Sequence, residues 1–258
     1  MKKTLSLALA LTMALSLAAC GNSGGSSSSA PADASGSSSQ ANSSTSSSSA
    51  NTESDLAYVQ NKGTLVVGIT EFEPMDYQNT DGEWIGFDAD LAKEFAESLG
   101  VTVEFQLIDW DNKVMELDGK TIDVVWNGMT LTEDVLAAME CSQPYLINQQ
   151  VVVVPADVAE DYQTEESLAD LNFAVEIGSA GCEVAQANGY SYTEVADQAT
   201  ALLEVASGTA DAAIIDSLMA AAMVGEGTSY ADLTYTVALN SEEYGVGFRK
   251  GSDLAEAL

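Results

Sequence analysis

Histidine is absent from the 258 residues. Without an imidazole the chain lacks the Ser-His and Cys-His pairs that activate nucleophiles near neutral pH, and it has no His ligand for a metal. Basic residues are scarce as well: eight Lys plus Arg stand against 40 Asp plus Glu, a formal net charge of −32. Such a surface repels phosphate backbones and anionic headgroups, which excludes direct nucleic-acid binding. Cysteine is limited to three residues. Two of them, Cys141 and Cys182, have a spacing without a signature. Two buried free thiols are expected, with a disulfide as the alternative on the oxidising side of a membrane. The many carboxylates show neither the spacing of a catalytic acid pair nor, at 76–83 or 109–111, the 12-residue alternation of a calcium loop. They read as a solvated acidic face, and no catalytic residue, metal ligand or cofactor is assigned.

The N-terminus reads as a bacterial export signal. Met1-Lys2-Lys3 is a positive n-region, residues 5–17 form an apolar run too short to span a bilayer permanently, and Leu17-Ala18-Ala19-Cys20 follows. That tetrapeptide resembles the lipobox of bacterial lipoproteins, which implies cleavage after residue 19 and lipid on Cys20. Residues 21–52 contain 15 Ser and a single charged residue, Asp33. A segment of that composition has no apolar face to fold, and as a flexible coil it would reach roughly 30 Å. It is expected to tether a globular head to the outer face of the membrane.

From residue 55 short apolar runs alternate with helical periods, the pattern of βαβ units. Strands are expected at 65–69, 101–107, 122–126, 151–154, 172–177, 193–195, 212–215 and 244–248. A helix is expected at 89–99 after Asp88, with Leu91, Phe95 and Leu99 on one face and Gly100 as its stop. Another is expected at 198–207 with Gly208 as its stop. The architecture expected is α/β with two lobes: lobe 1 over 53–143, lobe 2 over 144–240, and a return to lobe 1 over 241–258. A single doubly wound sheet is the alternative.

Several motifs carry a resemblance in their order and spacing. They are Gly86-Phe87-Asp88-Ala89-Asp90-Leu91-Ala92, Gly119-Lys120-Thr121-Ile122-Asp123, Gly128-Met129-Thr130-Leu131-Thr132-Glu133, Ser142-Gln143-Pro144-Tyr145, Glu176-Ile177-Gly178-Ser179, Asp211-Ala212-Ala213-Ile214-Ile215-Asp216 and Glu243-Tyr244-Gly245-Val246-Gly247-Phe248-Arg249. From about Gly63 to its end the chain resembles the bacterial extracellular solute-binding proteins of amino-acid ABC importers. The resemblance implies a two-lobed periplasmic-binding-protein-like fold with hinge crossovers that closes on one small ligand and is read by an ABC permease. It also implies a monomer and a final helix after Leu258, so the chain is expected to be cut short there.

For the site, the resemblance implies that Asp216 meets a ligand ammonium. A carboxylate just past an apolar strand fits that place, and helix capping is its alternative role. Gly128, Thr130 and Asn127 are implied to line the first lobe, with Thr132 beside them or in turn chemistry. Phe72 and Trp110 are implied to flank the ligand, although either is ordinarily core. Trp126 is expected in the core. Ser179 and Ala180 open a helix whose N–H groups suit an anion. One departure is marked: the family's carboxylate-gripping arginine falls on Val135. Arg249, the only arginine, is expected in a surface pair, and Lys113 is a candidate substitute cation. With Glu71 near the cleft, this leans the ligand towards neutral or cationic solutes. The function expected is lipid-anchored capture of an amino acid or related small polar solute for an ABC importer. The alternatives are a dehydratase-type enzyme on the same fold and a ligand-sensing receptor lobe.

Overall fold

The computed structural model describes residues 54–258. The export segment, Cys20 and the Ser-rich stretch lie outside the described residues. Ser54 caps helix α1 (Asp55–Lys62). The chain then forms β1 (Thr64–Ile69), the antiparallel pair β2 (Tyr77–Gln78) and β3 (Trp84–Ile85), α2 (Phe87–Ser98), β4 (Thr102–Leu107), α3 (Lys113–Asp118), β5 (Val124–Thr130), α4 (Glu133–Ala138), β6 (Glu140–Cys141) and β7 (Leu146–Asn148). A second series follows: β8 (Gln150–Pro155), β9 (Asn172–Glu176), α5 (Ala180–Asn188), β10 (Ser191–Val195), α6 (Gln198–Ser207), β11 (Ala212–Asp216), α7 (Ser217–Met223) and β12 (Leu233–Ala238). The chain ends on β13 (Glu242–Phe248) and α8 (Leu254–Ala257).

These strands build two sheets. One has the order β4-β1-β5-β13-β6, with β7 also paired to β13, and the other has the order β10-β9-β11-β8-β12. The chain passes from the first sheet to the second at Gln149 and returns through Leu239, Asn240 and Ser241. The two crossings are tied to each other, since Gln150 N donates to Asn240 Oδ1 (2.7 Å) and Leu239 N donates to the Gln150 carbonyl (2.8 Å). Two crossing strands bonded in this way form a hinge of defined geometry between two lobes.

Each sheet is apolar on both faces, as helices on both sides require. In β8, Val151 and Val153 join the cluster containing Leu202 and Val205 of α6, while Val152 and Val154 join the cluster containing Ala185 of α5. The period-2 alternation of a strand distributes them so. In the first lobe, Leu65, Val67 and Ile69 of β1 are fully buried, and Ala89, Ala92, Phe95 and Ala96 of α2 are buried at helical spacing. Each buried Leu, Val or Ile of β1 contributes about 1.5–3 kcal/mol. Helix α6 matches its sequence signals: the Asp197 side chain accepts from Thr200 N (2.6 Å), and Gly208 takes the left-handed conformation at its end. Trp126 is core, and both Cys141 and Cys182 are free thiols. No helix among the described residues is long and apolar enough to cross a membrane.

Two expectations are corrected. Asp88 does not precede its helix; it lies inside α2, fully buried, where it accepts from Gly128 N (2.6 Å) and the Tyr145 hydroxyl (2.8 Å). Arg249 is no surface residue. Its guanidinium is buried, donates to Asp55 (2.9 Å) and to the carbonyls of Leu117 and Ile122, and lies 3.6 Å from Asp123. The burial of both partners makes this ion pair part of the first lobe's frame.

Candidate functional site

The C-terminal ends of β1, β5, β9 and β11 meet at the gap between the lobes, the place where open α/β sheets present side chains to ligands. The gap is narrow, with a cavity of about 20 Å³, room for about one water molecule, so its walls stand close together. Phe72, Trp110, Asn127, Gly128, Thr130 and Thr132 border it from the first lobe, and Ser179, Ala180 and Asp216 border it from the second. All nine residues expected at the cleft therefore share one cavity.

The first wall is held by its own hydrogen bonds. Asn127 Oδ1 accepts from the N–H and hydroxyl of Thr70 (2.9 and 2.7 Å), and its amide donates to the Thr70 carbonyl and to Asp76. Gly128 has φ +54°, and a Cβ there would stand 2.5 Å from Phe72 Cε1, so only glycine lets that ring close over the strand. The Thr130 hydroxyl donates to Glu242 (2.7 Å). Thr132 does both things considered for it: it caps α4 by accepting from Val135 N, and it borders the cavity while donating to Glu183 (3.2 Å) across the gap. Phe72 and Trp110 are at once buried and wall residues.

The second wall is acidic. Asp216 stands at the N-cap position of α7, yet its carboxylate makes no cap bond, which removes the capping alternative. Oδ1 instead accepts from Asn148, from Gln150 (3.0 Å) and from the Tyr244 hydroxyl (2.6 Å), and Oδ2 accepts from Gln198. Burial, aided by the Glu242 carboxylate, pushes Asp216 up to about 7 despite those donors. Beside it, Glu176 closes β9 as Asp216 closes β11. Burial and then the charges of Asp216 and Asp197 push Glu176 up to about 8. Ser179 caps α5 by accepting from Cys182 N (3.1 Å).

Val135, the slot of the missing arginine, is a buried apolar part of the wall. Lys113 also reaches the cavity. Its ammonium donates to the carbonyls of Trp110 (3.2 Å) and Gly178 (2.9 Å), a bond from one lobe to the other, and lies 4.8 Å from the centre of the Trp110 ring. Burial lowers its proton affinity, and Glu176, Asp111 and Glu183 oppose that. The residues that sequence reasoning missed are Thr70, Met129, Glu176, Gly178, Glu183 and Gln198, all of which border the cavity. For Glu176 a signal existed: a charged residue ends an apolar strand there, as at Asp216.

Residues 65–258 match the model of the bacterial extracellular solute-binding proteins, family 3. The chain is 30% identical over 210 residues to the L-cystine-binding protein TcyJ of Escherichia coli strain K12, covering 80% of this chain and 79% of that protein. Among solved structures it is similar to the arginine-bound form of truncated ArgBP from T. maritima, at 35% identity and a TM-score of 0.72, covering 78% of this chain and 95% of that one. A cyclohexadienyl dehydratase of Pseudomonas aeruginosa is a more distant relative, 25% identical over 173 residues, covering 65% of each chain.

Proposed function

The chain belongs to the bacterial extracellular solute-binding proteins, family 3, and on that premise we propose that it captures an amino acid or a related small polar solute and delivers it to an ABC importer. The observation that carries this reading is the inter-lobe cavity. Buried carboxylates at two strand ends face aromatic and threonine side chains of the other lobe across the gap between them. In this reading Asp216 takes the solute's ammonium, Phe72 and Trp110 flank its apolar part, and Gly128, Thr130, Thr132 and Asn127 shape the opposite wall. Ser179 and Ala180 offer the start of α5 to any acceptor group. Closure of the two lobes, 53–143 with 241–258 against 144–240, is what the permease recognises.

The same reading places the mature protein on the outer face of the cell membrane as a monomer. An acylated Cys20 holds it there, and residues 21–52 serve as the tether; Leu17-Ala18-Ala19-Cys20 and the Ser-rich composition support this. Two features weigh against the dehydratase alternative. The chain has no histidine, and the cavity has three carboxylates but one ammonium, where a dianionic substrate would want cations.

A thermal-shift screen of the full chain in detergent tests the reading, using the twenty amino acids, their decarboxylated amines, short peptides and polyamines. A saturable rise from one or a few solutes, absent in Asp216→Asn, is expected. At 100 times the dissociation constant the stabilisation is about 2.7 kcal/mol, which for a domain of this size raises the midpoint by roughly 5–10 °C. Silence from every solute would overturn it.

A further inference from the structure

The cavity's hydrogen-bond inventory is one-sided. On the first wall the hydroxyl and amide hydrogens of Thr70, Asn127, Thr130 and Thr132 are engaged within the protein. The Thr70 hydroxyl goes to Asn127, both Asn127 amide hydrogens go to Thr70 and Asp76, the Thr130 hydroxyl goes to Glu242, and the Thr132 hydroxyl goes to Glu183. Gly128 N is held by Asp88, and Val135 N by Thr132. The one ammonium, Lys113, already donates to two carbonyls. A solute carboxylate would find donors at the start of α5 but no guanidinium, because the arginine slot presents the aliphatic surface of Val135.

Acceptors are in excess. Glu176 is 3% exposed, and its Oε1 has no hydrogen-bond partner, while Oε2 has only the Gln198 amide at 3.5 Å. Asp216 and Glu183 add two more carboxylates to the same cavity. Glu183 lies in the first turn of α5, where it already complements the positive end of that helix. Glu71 interacts with Asp197, whose charge also reaches Glu176, so the acidic character extends beyond the three lining carboxylates. An unpartnered, buried carboxylate oxygen in an acidic cavity calls for a donor that carries positive charge.

Resting on the receptor reading above, we infer that the solute is an organic cation without a carboxylate, an amine or guanidine of the size of a decarboxylated amino acid, held between Glu176 and Asp216. Such a cation supplies the hydrogen that Glu176 Oε1 lacks and relieves the repulsion between the two carboxylates. A carboxylate on the solute would face three carboxyl groups and a valine.

Calorimetric titration of the full chain with matched pairs decides the matter: agmatine against arginine, cadaverine against lysine, putrescine against ornithine, histamine against histidine. In at least one pair the amine is expected to bind ten-fold or more tightly than its parent amino acid. Glu176→Gln should weaken the amine at least ten-fold while circular dichroism stays unchanged, and Val135→Arg should reverse the preference within the pair. If a parent amino acid binds as tightly as its amine or more tightly, the inference fails and the receptor reading stands. If no member of any pair binds and the thermal-shift screen is silent as well, both fail. Undiminished amine binding by folded Glu176→Gln also overturns the inference.

Discussion

Replacing Glu176 by glutamine removes a charge that the fold holds under strain. Its carboxylate is 3% exposed, one oxygen has no partner, and Asp216 lies nearby, so burial and like charge raise its pKa from 4.5 to about 8. A group whose folded pKa exceeds its unfolded value binds more protons in the native state between the two values. Stability therefore falls as pH rises through that window, by up to about 1.4 kcal/mol per pH unit for one proton. From pH 5 to pH 8.5 the loss amounts to a few kcal/mol, shared with Asp216, whose pKa moves up to about 7 for the same reason. Glutamine keeps the shape and does not ionise. Urea unfolding of the ligand-free chain at pH 5, 7 and 8.5 should show Glu176→Gln close to the parent at pH 5 and more stable than it at pH 8.5, with the gap growing steadily. A gap that does not depend on pH, or a variant less stable at pH 8.5, would refute the assignment of Glu176 as a strained acid.

Gly128→Ala brings a Cβ to 2.5 Å from Phe72 at a φ of +54°, and it should cost about 2–4 kcal/mol from overpacking and left-handed strain, read from the urea midpoint. Arg249→Met strands Asp55 in the first lobe's interior, while Asp123 keeps Lys62, and it should destabilise by about 3–5 kcal/mol at pH 7, read from thermal melts. Lys113→Met removes the bond to the Gly178 carbonyl that joins the lobes. It should speed solute release by about ten-fold, as expected for a net loss near 1.5 kcal/mol, in stopped-flow displacement, with little change in unfolding midpoint.

The elements legible in the sequence were those whose local signals agree. The 198–207 helix carries its own capping aspartate and its terminal glycine, and residues 151–154 of β8 and 212–215 of β11 are unbroken apolar runs. What was missed depends on partners distant in sequence. β12 is a half-exposed strand in which Thr234, Tyr235 and Thr236 break the apolar pattern, and it is fixed by pairing with β8. β6 and β7 have two and three residues and exist through β13. Asp88 looked like a residue ahead of its helix because Asp is common there, but its bonds are to Gly128 and Tyr145, 40 and 57 positions away. Asp216 was readable as a carboxylate at a strand end, and Glu176 carries the same mark. That Gln198 would bridge the two follows only from packing α6 against β9 and β11. Arg249 was misjudged because a lone arginine near the chain's end has no local sign of burial.

The central claim is that one small solute binds between the lobes against the acids of β9 and β11. Calorimetry of the full chain with its best-responding amine or amino acid, run beside Asp216→Asn and Glu176→Gln, tests it most directly. The account predicts one site per chain and binding weakened at least ten-fold in each folded variant. Binding at full strength in both variants, or the absence of a saturable site for any small solute, would contradict it.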